Sequence, residues 1–395
     1  MKDEQGSFSC GVESVKNNGF LKKDFFVDPD IRKAEGLPPR AFTDPAFLEL
    51  ELEKVFRRSW LPVSPDAYAE FLEVPGAQVP FSMLGNPLFL QCDSEKKPHV
   101  YPNVCTHASY PLVRKSGVVE RIVCGQHGRV FTLEGAVRDP KFAVSKKFPR
   151  KCDNLADLPL EAWAQFFFVA QNDPAASFDE VFSLMRDSVA RLSVGGMRRV
   201  IQTAEIREVE GNWKQHAWNY LDSMHIPLIH RSPDGLVDAL YFSSYRTECY
   251  PHSVLQWAYA ANPKIGFLPE DLPARFRDPD DPERRVLALW WFVFPNMAFS
   301  FYPWGLSVNL YMPVIGRPDK TEFHWHHYVA DERFYRLREE LWHMEKVDRE
   351  DTEAIEATSK GLRSMFATRG LFSPGREAGA HWFHRLIYAS LFEQQ

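Results

Sequence analysis

Asn103-Val-Cys105-Thr-His107, then sixteen residues, then Cys124-Gly-Gln-His127-Gly-Arg-Val-Phe-Thr-Leu-Glu-Gly135 is the stretch on which the reading of this chain turns. Two Cys-His pairs, each in its own short loop, can set two thiolates and two imidazoles around one small metal centre. A zinc site of the common kind pairs Cys-x2-4-Cys with His-x3-5-His, and the order here does not fit that pattern. What fits is one thiolate and one imidazole from each loop, with a strand-like run and Gly135 closing behind the second.

If the two thiolates bind one iron and the two imidazoles the other, this is the mixed ligation of a Rieske [2Fe–2S] centre. Cys105-x-His107 with Cys124-x-x-His127-Gly128 resembles the Rieske signature, and most of the chain resembles the large (alpha) subunit of Rieske non-heme iron oxygenases. The resemblance implies an α+β architecture: an antiparallel β Rieske domain, then a helix-grip catalytic domain whose antiparallel sheet wraps long helices.

Composition is compatible with that size and class. The chain has 395 residues, 45% of them hydrophobic, enough for two or three domains. A net charge of −6 without a Lys/Arg block gives no support to a nucleic-acid role. Six scattered cysteines and the polar opening Met1-Lys-Asp-Glu-Gln-Gly-Ser suit a reducing cytoplasm. Between Arg285 and Arg317 there is no formal charge, but Pro295, Asn296, Pro303, Gly305, Asn309 and Pro313 punctuate the run. It therefore reads as two or three buried strands rather than a membrane span.

Along the chain, residues 1–43 read as an N-terminal arm without a core of its own. Asp44 to Trp60 carries Phe47, Leu48, Leu52, Val55 and Phe56 at helical spacing, and this helix would lead into the Rieske domain, placed at 44–163. Pro87–Cys92 and Gly117–Cys124 read as short strands there. The catalytic domain is placed at 164–395, opening on strand-like Ala164–Ala170, with a helix near Phe178–Leu192 and alternation around Arg199–Val209.

The second constellation lies in Gly211-Asn-Trp-Lys-Gln-His-Ala-Trp-Asn219-Tyr-Leu-Asp222-Ser-Met-His225-Ile-Pro-Leu-Ile-His230. Asn219, Asp222 and His225 recur every three residues, so on a helix they lie near one face. Pro227 would break that helix and let His230 swing back toward His225. Two imidazoles and one carboxylate on one face of an iron form the facial triad of oxygen-activating enzymes. Asp222, three residues before His225, is better placed to orient an imidazole through its other nitrogen. The family resemblance points to Asp351, ten residues before Gly361-Leu362, as the ligand carboxylate; Asp348, Glu350 and Glu353 are close competitors. The mononuclear iron would then sit between an Asn212–His225 helix and an Asp331–Leu362 helix.

The remaining histidines read more plainly. His99, His216, His252, His343, His381 and His384 are expected to be surface or hydrogen-bonded core residues, and His324-Trp-His-His327 alternates as a strand.

By the same resemblance, O2 is the co-substrate and Asp222, with Asn219 near it, links His127 of the partner subunit to His225 around a homotrimer. No Gly-x-Gly-x-x-Gly follows a strand, so NAD(P)H would act through a separate reductase or ferredoxin. Ala108-Ser109 stand where Arg-Gly is usual, Gln126 and Arg129 flank His127, Trp218 replaces a Glu and Ser359 a Gln. Asn219-Tyr-Leu-Asp222 and Phe294-Pro-Asn296…Tyr302-Pro-Trp304 resemble the choline-monooxygenase-like branch, which implies a small quaternary amine as substrate. Trp290, Trp291, Phe299, Phe301, Tyr302 and Trp304 are candidates for an aromatic cage around the cation, or simply sheet core. Two alternatives stay open at this point: an aromatic-ring dioxygenase, and a Rieske electron-transfer protein with no oxygenase activity.

Overall fold

Pro87–Cys92 falls in an antiparallel strand, as its spacing predicts, whereas the run Gly117–Cys124 is split into two short strands, Gly117–Val118 and Ile122–Val123, that join different sheets. The computed structural model describes residues 19–393 apart from 64–72, 140, 142–145, 232, 234 and 342–343. The first eighteen residues of the expected arm, and His343, lie outside the described residues. The chain divides into a unit containing Phe56–Ala175 and a unit made from Asn17–Val55 with Ala176–Gln395.

The first unit holds β1 (Leu61–Pro62), β2 (Ala77–Met83), β3 (Asn86–Cys92), β4 (Pro98–Pro102), β5 (Gly117–Val118), β6 (Ile122–Val123), β7 (Val130–Phe131), β8 (Leu160–Trp163) and β9 (Phe166–Val169). They form three sheets, ordered β4-β3-β2-β5, β1-β9-β8 and β6-β7. Phe89, Tyr101 and Phe131 are buried together with Cys105 and Cys124, so the core of the unit reaches the roots of the two metal loops.

The second unit is built on one seven-stranded antiparallel sheet. Its strands are β10 (Arg198–Glu210), β11 (Arg246–Cys249), β12 (Ser253–Tyr259), β13 (Val286–Val293), β14 (Met297–Tyr302), β15 (Gly305–Val314) and β16 (Arg317–Val329), in the order β10-β16-β15-β14-β13-β12-β11. The charge-free segment is thus the three central strands β13 to β15, and every residue of β13 and β14 is buried. Among the described residues no helix is long and apolar enough to cross a membrane. Helices Trp213–Leu221, Met344–Leu362 and Ala378–Phe392 belong to the same unit.

Two local devices fix the Trp213–Leu221 helix. Asn212 caps it by accepting from the Lys214 N–H at 3.0 Å, while Gln215 reaches back to the Asn212 N–H at 2.9 Å. Gly211, at φ +110, precedes the cap, and a Cβ there would lie 2.6 Å from Ile355 Cγ2. Only glycine admits that approach, which sets the start of this helix against the Met344–Leu362 helix.

Both expected domain borders move. Phe166–Val169, read as the opening of the catalytic domain, pairs with β1 and β8 in the first unit. The helix Pro45–Lys54, expected to belong with the Rieske domain, packs in the second unit, where its buried Glu51 pairs with buried Lys214 at 2.8 Å. Residues 19–43 are also not a bare arm: Phe20, Phe25, Val27, Leu37 and Phe42 are buried. Periodicity identifies a strand or a helix, but it does not say which sheet or core the element joins.

Candidate metal centres

The two Cys-His loops are built alike. In the first, the Cys105 N–H donates to the Tyr110 carbonyl at 2.9 Å and the Ser109 N–H returns to the Cys105 carbonyl at 2.9 Å. In the second, the Cys124 N–H donates to the Arg129 carbonyl at 2.8 Å and the Gly128 N–H to the Cys124 carbonyl at 2.9 Å. Each loop turns four residues past its cysteine through a left-handed residue, Ser109 at φ 58 and Gly128 at φ 67. The departure at Ser109 is therefore structural: an L-residue occupies a conformation that glycine adopts without strain.

The paired loops bring His107 and His127 to a ring-centroid separation of 4.8 Å. Cys105 and Cys124 are buried thiols that interact with each other. Burial pushes Cys105 up. Burial also acts on Cys124, but the N–H groups of Gln126 and His127 and the charge of Arg129 outweigh it and hold that thiol below its ordinary value. Two thiols and two imidazoles from equivalent loops are the donor set a [2Fe–2S] cluster of mixed ligation requires. The Arg129 departure is buried and paired with Asp153 at 3.0 Å, and Lys141 Nζ donates to the carbonyls of His127 at 2.8 Å and Gly128 at 3.0 Å.

In the second unit, the helix expected to break at Pro227 has already ended at Leu221, and Asp222 is extended at its C-terminal end. Pro227 instead starts a new turn, Ile226–Ile229, where a proline is tolerated. His225 and His230 flank that turn, and one atom from each of His225, His230 and Asp351 lies within 4.8 Å of the others. His225 Nε2 is 3.2 Å from His230 Nε2, and Asp351 Oδ1 is 3.6 Å from the first and 2.9 Å from the second.

The outer nitrogens settle which atoms are free to bind. His230 Nδ1 faces Glu350 Oε2 at 2.9 Å, and His225 Nδ1 faces Asp222 Oδ2 at 3.4 Å. With each Nδ1–H donating to a carboxylate, both Nε2 atoms present lone pairs to one point. Two lone pairs and a carboxylate oxygen converging there repel one another unless a cation lies among them. The set fits mononuclear iron held by two imidazoles and one carboxylate. A proton on His230 Nε2 can occupy that point instead. Burial pushes the Asp351 carboxyl up, but this contact, with the nearby His225 and Asn219, outweighs burial and holds the carboxyl below its ordinary value.

The expected helices are therefore present in shorter form, Trp213–Leu221 and Met344–Leu362, and the three ligand candidates meet between them. Glu350, a competitor for the ligand position, instead orients His230. Asp348 lies on the cavity wall one turn before Asp351.

That cavity, of about 150 Å³, opens beside the triad. Alternate residues of the sheet face it: Ser300 and Tyr302 from β14, Ser307, Asn309 and Tyr311 from β15, Phe323 and Trp325 from β16, the period of two expected of a pleated sheet. Of the six aromatic cage candidates only Trp290 and Tyr302 line it. Trp291, Phe299 and Phe301 point to the other face, and Trp304 stacks behind Tyr302 at 5.1 Å. The polar wall, with Trp325 Nε1 donating to Ser307 at 2.9 Å and Tyr220 bonded to Ser300 at 2.9 Å, was not anticipated. Its signal was present in Ser307-x-Asn309-x-Tyr311, polar groups at alternate positions of an otherwise apolar strand.

His216 also lines the cavity, stacked on Tyr311 at 5.5 Å, and burial pushes it down to about 3, so it is a neutral wall. The other ordinary histidines behave as read: His99 is bonded to Asp157 and Asp93, His384 accepts from the Leu37 N–H, and His381 binds the Asp28 carbonyl. His324 to His327 lie in β16.

Two family models match the chain: the Rieske [2Fe-2S] domain over residues 59–149, and the ring hydroxylating alpha subunit (catalytic domain) over residues 196–391. The chain is 28% identical to choline monooxygenase, chloroplastic, of Arabidopsis thaliana, across 96% of this chain and 88% of that protein. It is 23% identical to the carnitine monooxygenase oxygenase subunit of Escherichia coli (strain K12), across 93% and 96%. A quaternary ammonium Rieske monooxygenase solved with L-carnitine shares the fold at a TM-score of 0.71 and 18% identity, covering 94% of this chain and 99% of that one. With its two loops, its triad and both family domains in order, the chain belongs to the Rieske non-heme iron oxygenase large-subunit family, as a terminal oxygenase that uses a [2Fe–2S] cluster, mononuclear iron and O2.

Proposed function

We propose that this enzyme is a monooxygenase of a small quaternary amine, oxidising a carbon bonded to the nitrogen. The observation that carries the proposal is the position of His225, His230 and Asp351 on the wall of a small cavity with aromatic and neutral hydrogen-bonding sides. Choline and carnitine, named in two relatives, are both quaternary amines. Iron held at the triad would supply oxygen activation, and a cluster held by the two Cys-His loops would supply electrons one at a time.

The chain's own residues do the rest. His225, His230 and Asp351 would hold the iron, and Asp222 and Glu350 would keep the two imidazoles turned with Nε2 inward. Asn219 steadies the Asp351 carboxylate. Cys105, Cys124, His107 and His127 would hold the cluster. The aromatic walls exclude water and attract a cation through their ring faces. Overall, one oxygen atom enters a C–H bond and the other leaves as water, consuming two electrons and two protons; hydroxylation beside nitrogen can then release the carbon as an aldehyde.

The family works with an electron donor, and here that partner would be a separate NAD(P)H-dependent reductase or ferredoxin. A homotrimer in which Asp222 bridges His225 to His127 of the partner subunit suits this reading. So does a reducing cytoplasm, where the cluster cysteines stay available as thiolates. The ring-dioxygenase alternative uses the same ligands and is separated by product. The test is a single turnover of chemically reduced holoenzyme with oxygen and a panel of quaternary amines and arenes, read by mass. One added oxygen or a lost methyl in an amine supports the reading; two oxygens added to an arene, with no amine oxidised, overturn it.

A further inference from the structure

The charged groups on the cavity wall are all acidic. Asp222, Asp348 and Asp351 line it, and among the described residues no Lys or Arg does. Asp351 and Asp222 are committed to the triad, the first as ligand and the second through His225. Asp348 is not. It stands one helical turn before Asp351 on the Met344–Leu362 helix, so the two side chains are neighbours on one face.

Asp348 is held from behind. Arg207, on β10, approaches Asp348 Oδ2 at 2.6 Å and Glu205 Oε2 at 2.5 Å, and its guanidinium lies 4.8 Å from the Phe323 ring centroid. One guanidinium between two carboxylates leaves the group one negative charge in excess. Phe323 itself forms cavity wall, while Arg207 does not line the cavity. Burial lifts the Asp348 carboxyl above its ordinary value, with Arg207 opposing, so a cation arriving on the cavity side would relieve a charge that is poorly solvated. Tyr311 lies near both Asp348 and Asp351, and with Phe323 and the neutral His216 it forms an aromatic wall beside them.

We propose that Asp348 is the carboxylate that holds the cationic nitrogen of the substrate, and that the cavity thereby selects small cations carrying no carboxylate of their own. The proposal rests on the amine reading above. It accounts for regiochemistry as well as selectivity: a nitrogen held one turn from the ligand Asp351 places a carbon bonded to that nitrogen toward the iron site. A carboxylate at the far end of the substrate finds neutral hydroxyls and amides but no Lys or Arg on the described wall. The cavity of about 150 Å³ is large enough to admit a molecule of this size.

The test is anaerobic calorimetric titration of the holoenzyme with three probes: choline, its neutral tert-butyl isostere, and glycine betaine. Choline is expected to bind roughly 10- to 100-fold tighter than the isostere, the scale of one charge-assisted contact, and glycine betaine to bind weaker than choline by a similar factor. In Asp348→Asn with iron and cluster content unchanged, the choline-to-isostere ratio falls toward one, and Asp348→Glu, which keeps the charge, retains a preference. Glycine betaine binding wild type as tightly as choline overturns the proposal without any variant. So does an unchanged ratio in iron-loaded Asp348→Asn. Failure of all three probes to bind, charged and neutral alike, instead removes the amine reading on which the proposal stands.

Discussion

His225 Nε2 and His230 Nε2 face each other at 3.2 Å, each with its outer nitrogen turned to a different carboxylate. The five-residue separation alone does not produce this arrangement. It arises because the helix stops at Leu221 and a fresh turn begins at Ile226. Glu350 then decides which nitrogen of the buried His230 points inward. Replacing Glu350 by Ala is expected to weaken iron binding about 10- to 100-fold, the usual cost of removing a partner of a ligating imidazole. Iron content after dialysis against a graded chelator measures it, and the cluster absorbance should be unchanged.

Asp222 bonds His225 on one side and caps the Met224 N–H at 2.5 Å on the other. Asp222→Asn preserves shape and, if Asp222 serves as the proposed bridge for electron delivery, is expected to retain both metal centres while nearly abolishing turnover. Rapid-mixing kinetics of cluster reoxidation would show the defect. Normal product formation by the variant would remove the bridging role.

Ser109 holds φ 58 where the matching position of the second loop is Gly128. A left-handed L-residue costs roughly 1–2 kcal/mol, and the extra freedom of glycine in the unfolded chain returns part of that, about 0.5–1 kcal/mol. Ser109→Gly is therefore expected to stabilise the Rieske unit modestly, by about 0.5–1 kcal/mol. Thermal bleaching of the cluster should move to higher temperature. A lower bleaching temperature would mean that the serine hydroxyl contributes more than the backbone strain removes.

Asp153 lies beneath the second loop, bonded by Arg150 at 3.1 Å and Arg129 at 3.0 Å. Arg150 holds its carboxyl well below the usual range, with Arg129 assisting against the effect of burial. A depressed value in the folded state means that this stabilisation is present above the unfolded value, near 3.8, and is lost as pH falls below it. Asp153→Asn should cost about 3–5 kcal/mol at neutral pH, as expected for breaking a buried pair. Its unfolding free energy should also change less steeply with pH below about pH 4 than that of the wild type. Denaturant melts at neutral and acid pH report both effects.

What the sequence disclosed follows from how local each feature is. The Cys105 and Cys124 loops were legible because a cluster needs its thiolate and imidazole two or three residues apart. His225 and His230 were legible for the same reason. Asp351 needed the family resemblance, since nothing between Asp348 and Glu353 separates four acidic candidates until the helix is packed and one carboxylate turns inward. The destination of Phe166–Val169 and of the Pro45–Lys54 helix was hidden, because joining a sheet or burying Glu51 against Lys214 depends on contacts made more than a hundred residues away. The aromatic wall was half legible: alternation distinguishes Trp290 from Trp291 but does not say which of the two faces the cavity.

The most direct test of the account is a single turnover under labelled oxygen, ¹⁸O2, with reduced holoenzyme and choline, run beside Asp351→Asn carrying an intact cluster. The account predicts one labelled atom in the oxidised amine or in the aldehyde it releases, and no product from the variant. Protein shown to hold both metals that yields no labelled product from choline or any amine in the panel, or an Asp351→Asn variant that oxidises as well as the wild type, would contradict it.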